Sequence, residues 1–185
     1  MANEIAELKQ QLNEAIQSKG DWKTPYEKLM QAVYELPVIF AALSRDAFQP
    51  DTLHSTPLVS TKDFDGMATV YLFSDIDIAT KWMIHYSHYT ADKKYGLMGA
   101  LPKQENDFLN FFQIAAKLGI PNLLLDEGGQ MVGMETKRFI EVNSINPNDI
   151  KLRISQKELE ELQAGGEAPA LHFAEIEAIP LIKGK

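Results

Sequence analysis

The sequence predicts an α+β fold: a central, mostly antiparallel sheet of about five strands with helices packed on it. Three observations carry that expectation. Residues Thr69 to Phe73 are apolar on both faces and run straight into Ser74, Asp75 and Asp77, which suit a helix start. Thr24-Pro25-Tyr26-Glu27 combines a capping hydroxyl, a first-turn proline and a glutamate spaced for a capping box. Pro57 to Thr61 and Met67 to Phe73 flank the turn residues Asp63-Phe64-Asp65-Gly66, which is the pattern of a β-meander.

Composition narrows the chemistry. With 45% apolar and 24% charged residues in 185, the chain is that of a folded protein. A net charge of −8 with scattered Lys and Arg gives no footprint for phosphate backbones, so no nucleic-acid partner is expected. No run approaches the ~20 apolar residues of a membrane span, and the start Met1 to Glu7 lacks a signal-peptide pattern, so no membrane partner and a cytoplasmic location are expected. Cysteine is absent, which removes disulfides, thiolate catalysis and thiolate zinc sites and leaves four histidines as nitrogen ligands.

In chain order, residues 4–19 form a helix whose Ile5, Leu8, Leu12, Ala15 and Ile16 share an arc of about 100°, with Gly20 beyond its end. A second helix from Thr24 places Tyr26, Leu29, Met30, Val33 and Leu36 on one face, and Pro37 ends it. A short helix is expected from Val38 to Leu43, then short strands at Ala47 to Pro50 and Pro57 to Thr61. The strand ending at Phe73 feeds a helix capped by Ser74, with Ile76, Ile78, Ala79, Trp82, Met83 and Tyr86 inward. Thr90 to Leu101 reads as irregular, and Pro102 opens a helix to about Leu118 whose polar residues Asn106, Asn110, Gln113 and Lys117 make a strip only ~60° wide. Gly119 and Pro121 separate it from a strand at Asn122 to Asp126. After the turn Asp126-Glu127-Gly128-Gly129, Met131 to Met134 returns as a strand and Glu135 to Val142 as a short helix. Ile150 to Ile154 alternates like a strand, Ser155 to Glu158 opens a helix ended by Gly165-Gly166, and residues 169–182 hold one or two strands. The chain thus divides into an N-terminal amphipathic helix (1–22), an α+β domain (23–149) and a C-terminal strand-helix-strand extension (150–185) packing on it.

Candidate sites are sparse. His85 and His88 fall at i and i+3, about 60° apart on a helix surface, but two imidazoles are not a metal site. Asp77 is about 16 Å from His88 along such a helix, so His54, His172 or a distant carboxylate would have to complete the shell. Asp63 and Asp65 suit a turn, and Asp75 and Asp77 a helix N-terminus, better than a carboxylate pair. Gly128-Gly129 lacks the Lys-Ser/Thr of a phosphate loop, and no serine sits in a Gly-x-Ser-x-Gly elbow. Of the aromatics Trp22, Trp82, Tyr86 and Tyr89, Trp82 and Tyr86 suit the core, whereas Trp22, among charged neighbours, suits a contact surface.

The order of elements, with Ala47-Phe48-Gln49-Pro50, Pro57-Leu58-Val59, a strand ending Leu72-Phe73-Ser74-Asp75, a helix carrying Trp82 and the step Gly119-Ile120-Pro121-Asn122-Leu123-Leu124-Leu125-Asp126, resembles the N-terminal domain of the enhanced serine sensitivity (SseB) family over roughly residues 25–140. Such domains usually follow the last apolar strand with an Asn-Pro-like turn; this chain has Asp126-Glu127-Gly128-Gly129. The resemblance implies a small bacterial α+β domain without an established catalytic site. The sequence therefore points to a non-catalytic protein-interaction or regulatory module, with a protein partner or a second copy engaged through residues 1–22 and no catalytic, cofactor or metal residue assigned. The rival is a metal-assisted hydrolase using His85 and His88.

Overall fold

The computed structural model describes residues 2–61, 66–151, 160, 164 and 173–181, with side chains from Glu4 onward. Two helices, α1 (Ala2–Gln17) and α2 (Lys23–Tyr34), precede strands β1 (Val38–Ala42), β2 (His54–Ser55), β3 (Val59–Ser60) and β4 (Thr69–Phe73). Helix α3 (Ile76–His85), strand β5 (Tyr95–Pro102), helix α4 (Asn106–Lys117), strands β6 (Asn122–Leu125) and β7 (Val132–Glu135), helix α5 (Thr136–Val142) and strand β8 (Ile176–Pro180) follow.

The strands form one mixed sheet in the order β2-β8-β5-β1-β4-β6-β7, with β3 on β4. It is larger than the five strands the sequence suggests. All pairings are antiparallel except β4 with β6, which run parallel with Val70 opposite Leu123 and Leu72 opposite Leu125. All five residues of β4 are buried, as its doubly apolar pattern requires. Val70 and Leu72 face the core shared with α1, α2, α4 and α5, whereas Tyr71 and Phe73 pack with Ala79, Trp82 and Met83 of α3. Helices therefore cover both faces of the sheet.

Four expectations are corrected. Val38 to Leu43 is a strand with a terminal bridge rather than a helix: β1 lies between β4 and β5 with Phe40 opposite both Phe73 and Ala100, where Val, Ile and Phe fit a pleated surface. Within Thr90 to Leu101 lies most of the eight-residue strand β5, disguised by its glycines. A Cβ on Gly99 would run into β-branched Ile176, so close packing demands glycine there, whereas one on Gly96 would meet only the movable end of Met83. Pro102 ends that strand opposite Val38, and α4 begins only at Asn106. Ala47 to Pro50 contributes only a bridge from Gln49 to His54.

The caps also differ in detail. Asp21 rather than Thr24 serves the start of α2, accepting from Lys23 N at 3.1 Å and from Thr24 Oγ1 at 2.6 Å. Asp75 rather than Ser74 caps α3, accepting from Asp77 N at 2.7 Å. The narrow polar strip of α4 has a structural use, since Asn110 exchanges two hydrogen bonds with the Lys151 backbone and Gln113 donates to the carbonyls of Asn146 and Asp149. The turn residues Asp63 and Asp65, three of the five residues of the strand expected at Ile150 to Ile154 and most of the helix opened by Ser155 lie outside the described residues, while Ile150 and Lys151 are described and belong to no strand.

Candidate interaction face

Helix α1 is the element that builds the candidate site. Its Ile5 and Leu12 are buried in the main core, and Lys9, one turn from each on the same face, is only 6% exposed. The Lys9 ammonium pairs with the carboxylate of Asp126, which is fully buried just beyond β6. Asp126 also accepts from Ser74 N and Ser74 Oγ, each at 2.7 Å. One carboxylate thereby ties the N-terminal helix to the ends of the parallel strands β4 and β6, and its backbone adopts φ 56° to do so. The adjacent Glu127 accepts from Trp82 Nε1 at 2.6 Å and fixes α3 to the same turn.

Past Leu12 the stripe leaves the core. Ile16 is 55% exposed, Trp22 51% and Met131 60%, and the three surround a cleft of about 440 Å³ floored by Leu12, Tyr26 and Val132. Tyr26 sets the geometry: its hydroxyl donates to the Gly133 carbonyl at 3.2 Å, accepts from Glu135 N at 3.0 Å, and its ring meets Trp22 edge-on at 5.9 Å between centroids. Burial pushes the Tyr26 phenol above its ordinary value, so it stays neutral in this role. Near Ile16 and Trp22 in sequence, Glu14, Lys19, Asp21 and Lys23 are all exposed, two charges of each sign. The arrangement offers burial of apolar side chains, and the described residues lining it bring no nucleophile and base together.

The other residues singled out by sequence are placed as follows. His85 ends α3, and Ser87 at φ 51° breaks the helix before His88, so the two imidazoles do not share one helical face. His88 packs edge-on against Trp82, and its Nε2 lies 2.8 Å from the Leu43 carbonyl; His85 stacks edge-on with Tyr86. Desolvation pushes the His88 pKa below its ordinary value, and nearby Arg45 adds to this. His54 Nδ1 faces the Thr52 carbonyl, and His172 lies outside the described residues. Among the described residues no group of three or more His, Asp or Glu converges as metal ligands. Trp82 is buried as expected, whereas Tyr86 is half exposed.

Sequence reasoning overlooked the Lys9–Asp126 pair. The available signal was a lysine inside the arc defined by Ile5 and Leu12, a position that strands its charge unless an anion meets it. Among the described residues no helix is long and apolar enough to cross a membrane. Comparison with family models, curated proteins and solved structures returns no match for this chain.

Proposed function

We propose that the chain is a non-catalytic interaction module that works by self-association, two copies burying the face formed by Ile16, Trp22 and Met131. The observation that carries this reading is the convergence of those three half-exposed apolar side chains on one cleft, anchored from behind by the buried Lys9–Asp126 pair. A second copy fits the charge pattern. On a chain of net charge −8, the exposed charges near Ile16 and Trp22 in sequence, Glu14 and Asp21 with Lys19 and Lys23, balance, so two identical copies approach this end of α1 with little repulsion.

We include in the proposal a cytoplasmic location without nucleic-acid partners, supported by the acidic charge and scattered basic residues, and the likeness to the bacterial SseB N-terminal domain, supported by the sequence run Leu72-Phe73-Ser74-Asp75, the segment carrying Trp82 and the step from Gly119 to Asp126. No observation favours the hydrolase reading, since His88 is committed to packing on Trp82 and facing the Leu43 carbonyl.

Deleting residues 1–22 would also remove Ile5 and Leu12 from the core, so point changes at the rim are the sound test. Sedimentation velocity across a concentration series should show a monomer–dimer equilibrium for the unaltered chain, weakened at least about tenfold by Trp22→Ser or Ile16→Ser. A chain that stays monomeric at ~0.5 mM, weaker than most specific contacts, overturns self-association. Dimers insensitive to both changes would move the interface elsewhere.

A further inference from the structure

We propose that a separate cleft, between the loop after β1 and the loop joining α3 to β5, binds a small carboxylic acid with an aromatic body. The cleft has a volume of about 600 Å³, within the ~300–1,000 Å³ range of small-molecule sites. Its walls are Phe48, Pro50, Leu53, Tyr89, Tyr95 and Leu97, three of them aromatic rings that can stack on or edge against a ligand ring.

Charge selects the ligand's polar end. Arg45 and Asp92 are the charged residues lining the cleft. Asp92 is already compensated by Thr90 Oγ1 at 2.6 Å, Lys94 N at 3.1 Å and the Lys94 ammonium at 3.4 Å. Arg45 has no carboxylate partner among the described residues; its Nη2 donates to the Ser87 carbonyl at 2.6 Å, which orients the guanidinium and leaves donors for a ligand. The Lys93 ammonium lies 5.9 Å over the Tyr89 ring and adds a second positive charge beside the cleft. A carboxylate is a group that such a planar donor fork can hold in two-point fashion, and an aromatic acid matches it to the ring-lined walls.

The backbone around the cleft is held in unusual conformations. Leu53 at φ 61° and Ser87 at φ 51° both line it, and Lys93 at φ 56° lies in the loop that closes it. Left-handed backbone is disfavoured for a bulky leucine, and its clustering here matches the way strain collects at ligand clamps. The loop is also preformed: Thr90 N donates to the Tyr95 carbonyl and Lys93 N to the Thr90 carbonyl, each at 2.9 Å. None of these residues belongs to the Ile16–Trp22–Met131 face, so the site stands or falls independently of self-association.

The test is an amide-resolved NMR titration of the isotope-labelled full chain with 4-phenylbutyrate and 2-naphthoate, each compared with its uncharged primary amide. The carboxylates should shift the Tyr89, Thr90, Tyr95 and Leu97 amides saturably, and the amide analogues should bind at least about tenfold more weakly. Arg45→Gln should bring carboxylate affinity down to that of the amides while the rest of the spectrum stays in place. Absence of saturable shifts with both carboxylates overturns the site. Equal affinity for acid and amide in the unaltered chain overturns the assignment of Arg45 without relying on any variant.

Discussion

Replacing Lys9 by methionine probes the link between α1 and the sheet. Methionine keeps the length and most of the apolar stem of lysine but removes the ammonium that meets Asp126. Because Lys9 is 6% exposed and Asp126 is fully buried, the change leaves a carboxylate inside the protein with only Ser74 N and Ser74 Oγ as donors. Breaking a buried ion pair from one side costs about 3–5 kcal/mol, and the two surviving donors place the expected loss near the lower end, at about 3 kcal/mol. For a chain of this size that is a fall in melting temperature of roughly 6–12 °C. Urea unfolding of the single variants Lys9→Met and Asp126→Asn and of the double variant gives the pair's coupling, which should be about 2 kcal/mol or more. Hydrogen exchange should rise first in α1, since that helix loses its polar anchor while the sheet keeps its ladder. A loss below about 1 kcal/mol for Lys9→Met, the range of exposed pairs, would refute the reasoning.

His88 should make stability pH-dependent in a defined direction. Its folded-state pKa is depressed by burial, so between the unfolded value of about 6.5 and the lower folded value the unfolded chain binds the extra proton. Stability should fall as pH drops through that window and level off below it. His88→Gln should flatten that part of the curve in thermal melts from pH 7.5 to 5, and an unchanged slope would show that His88 is not the group responsible. Gly99→Ala should destabilise by about 2–3 kcal/mol and more than Gly96→Ala, because the new methyl meets β-branched Ile176 in the first case and the flexible end of Met83 in the second. Denaturant unfolding that reversed this order would contradict the packing. Asn110→Leu should cost about 2 kcal/mol by orphaning the Lys151 backbone groups, with faster exchange at Lys151 N as its specific sign.

The fold was legible where local pattern and tertiary placement agree. The doubly apolar run from Thr69 to Phe73 announced an interior strand, and the short strand Val59–Ser60 pairs with it as a hairpin reading requires. Reading failed where one level overrides another. Val38 to Ala42 is too short to reveal a period, and only its neighbours on both sides make it a strand. Tyr95 to Pro102 hid behind glycines, of which Gly99 is demanded by close packing from Ile176, far off in sequence.

Trp22 was recognisable as an exposed aromatic from its charged surroundings. Met131 was not, because nothing in its own segment says that the β6–β7 turn lies beside the end of α1. The His85–His88 spacing suggested a shared face that Ser87 disrupts by leaving the helical region, a backbone event with no strong local signal. Arg45 and the rings across from it come from separate segments, and such convergence is visible only in three dimensions.

The most direct measurement of the proposed function is an isotope-filtered NOE experiment on a mixture of labelled and unlabelled full-length chains. Contacts seen only between copies, from the Trp22 indole to the Ile16 and Met131 methyl groups, are the predicted result. Intermolecular contacts confined to another surface, or none at concentrations where the chain is dimeric, would contradict it.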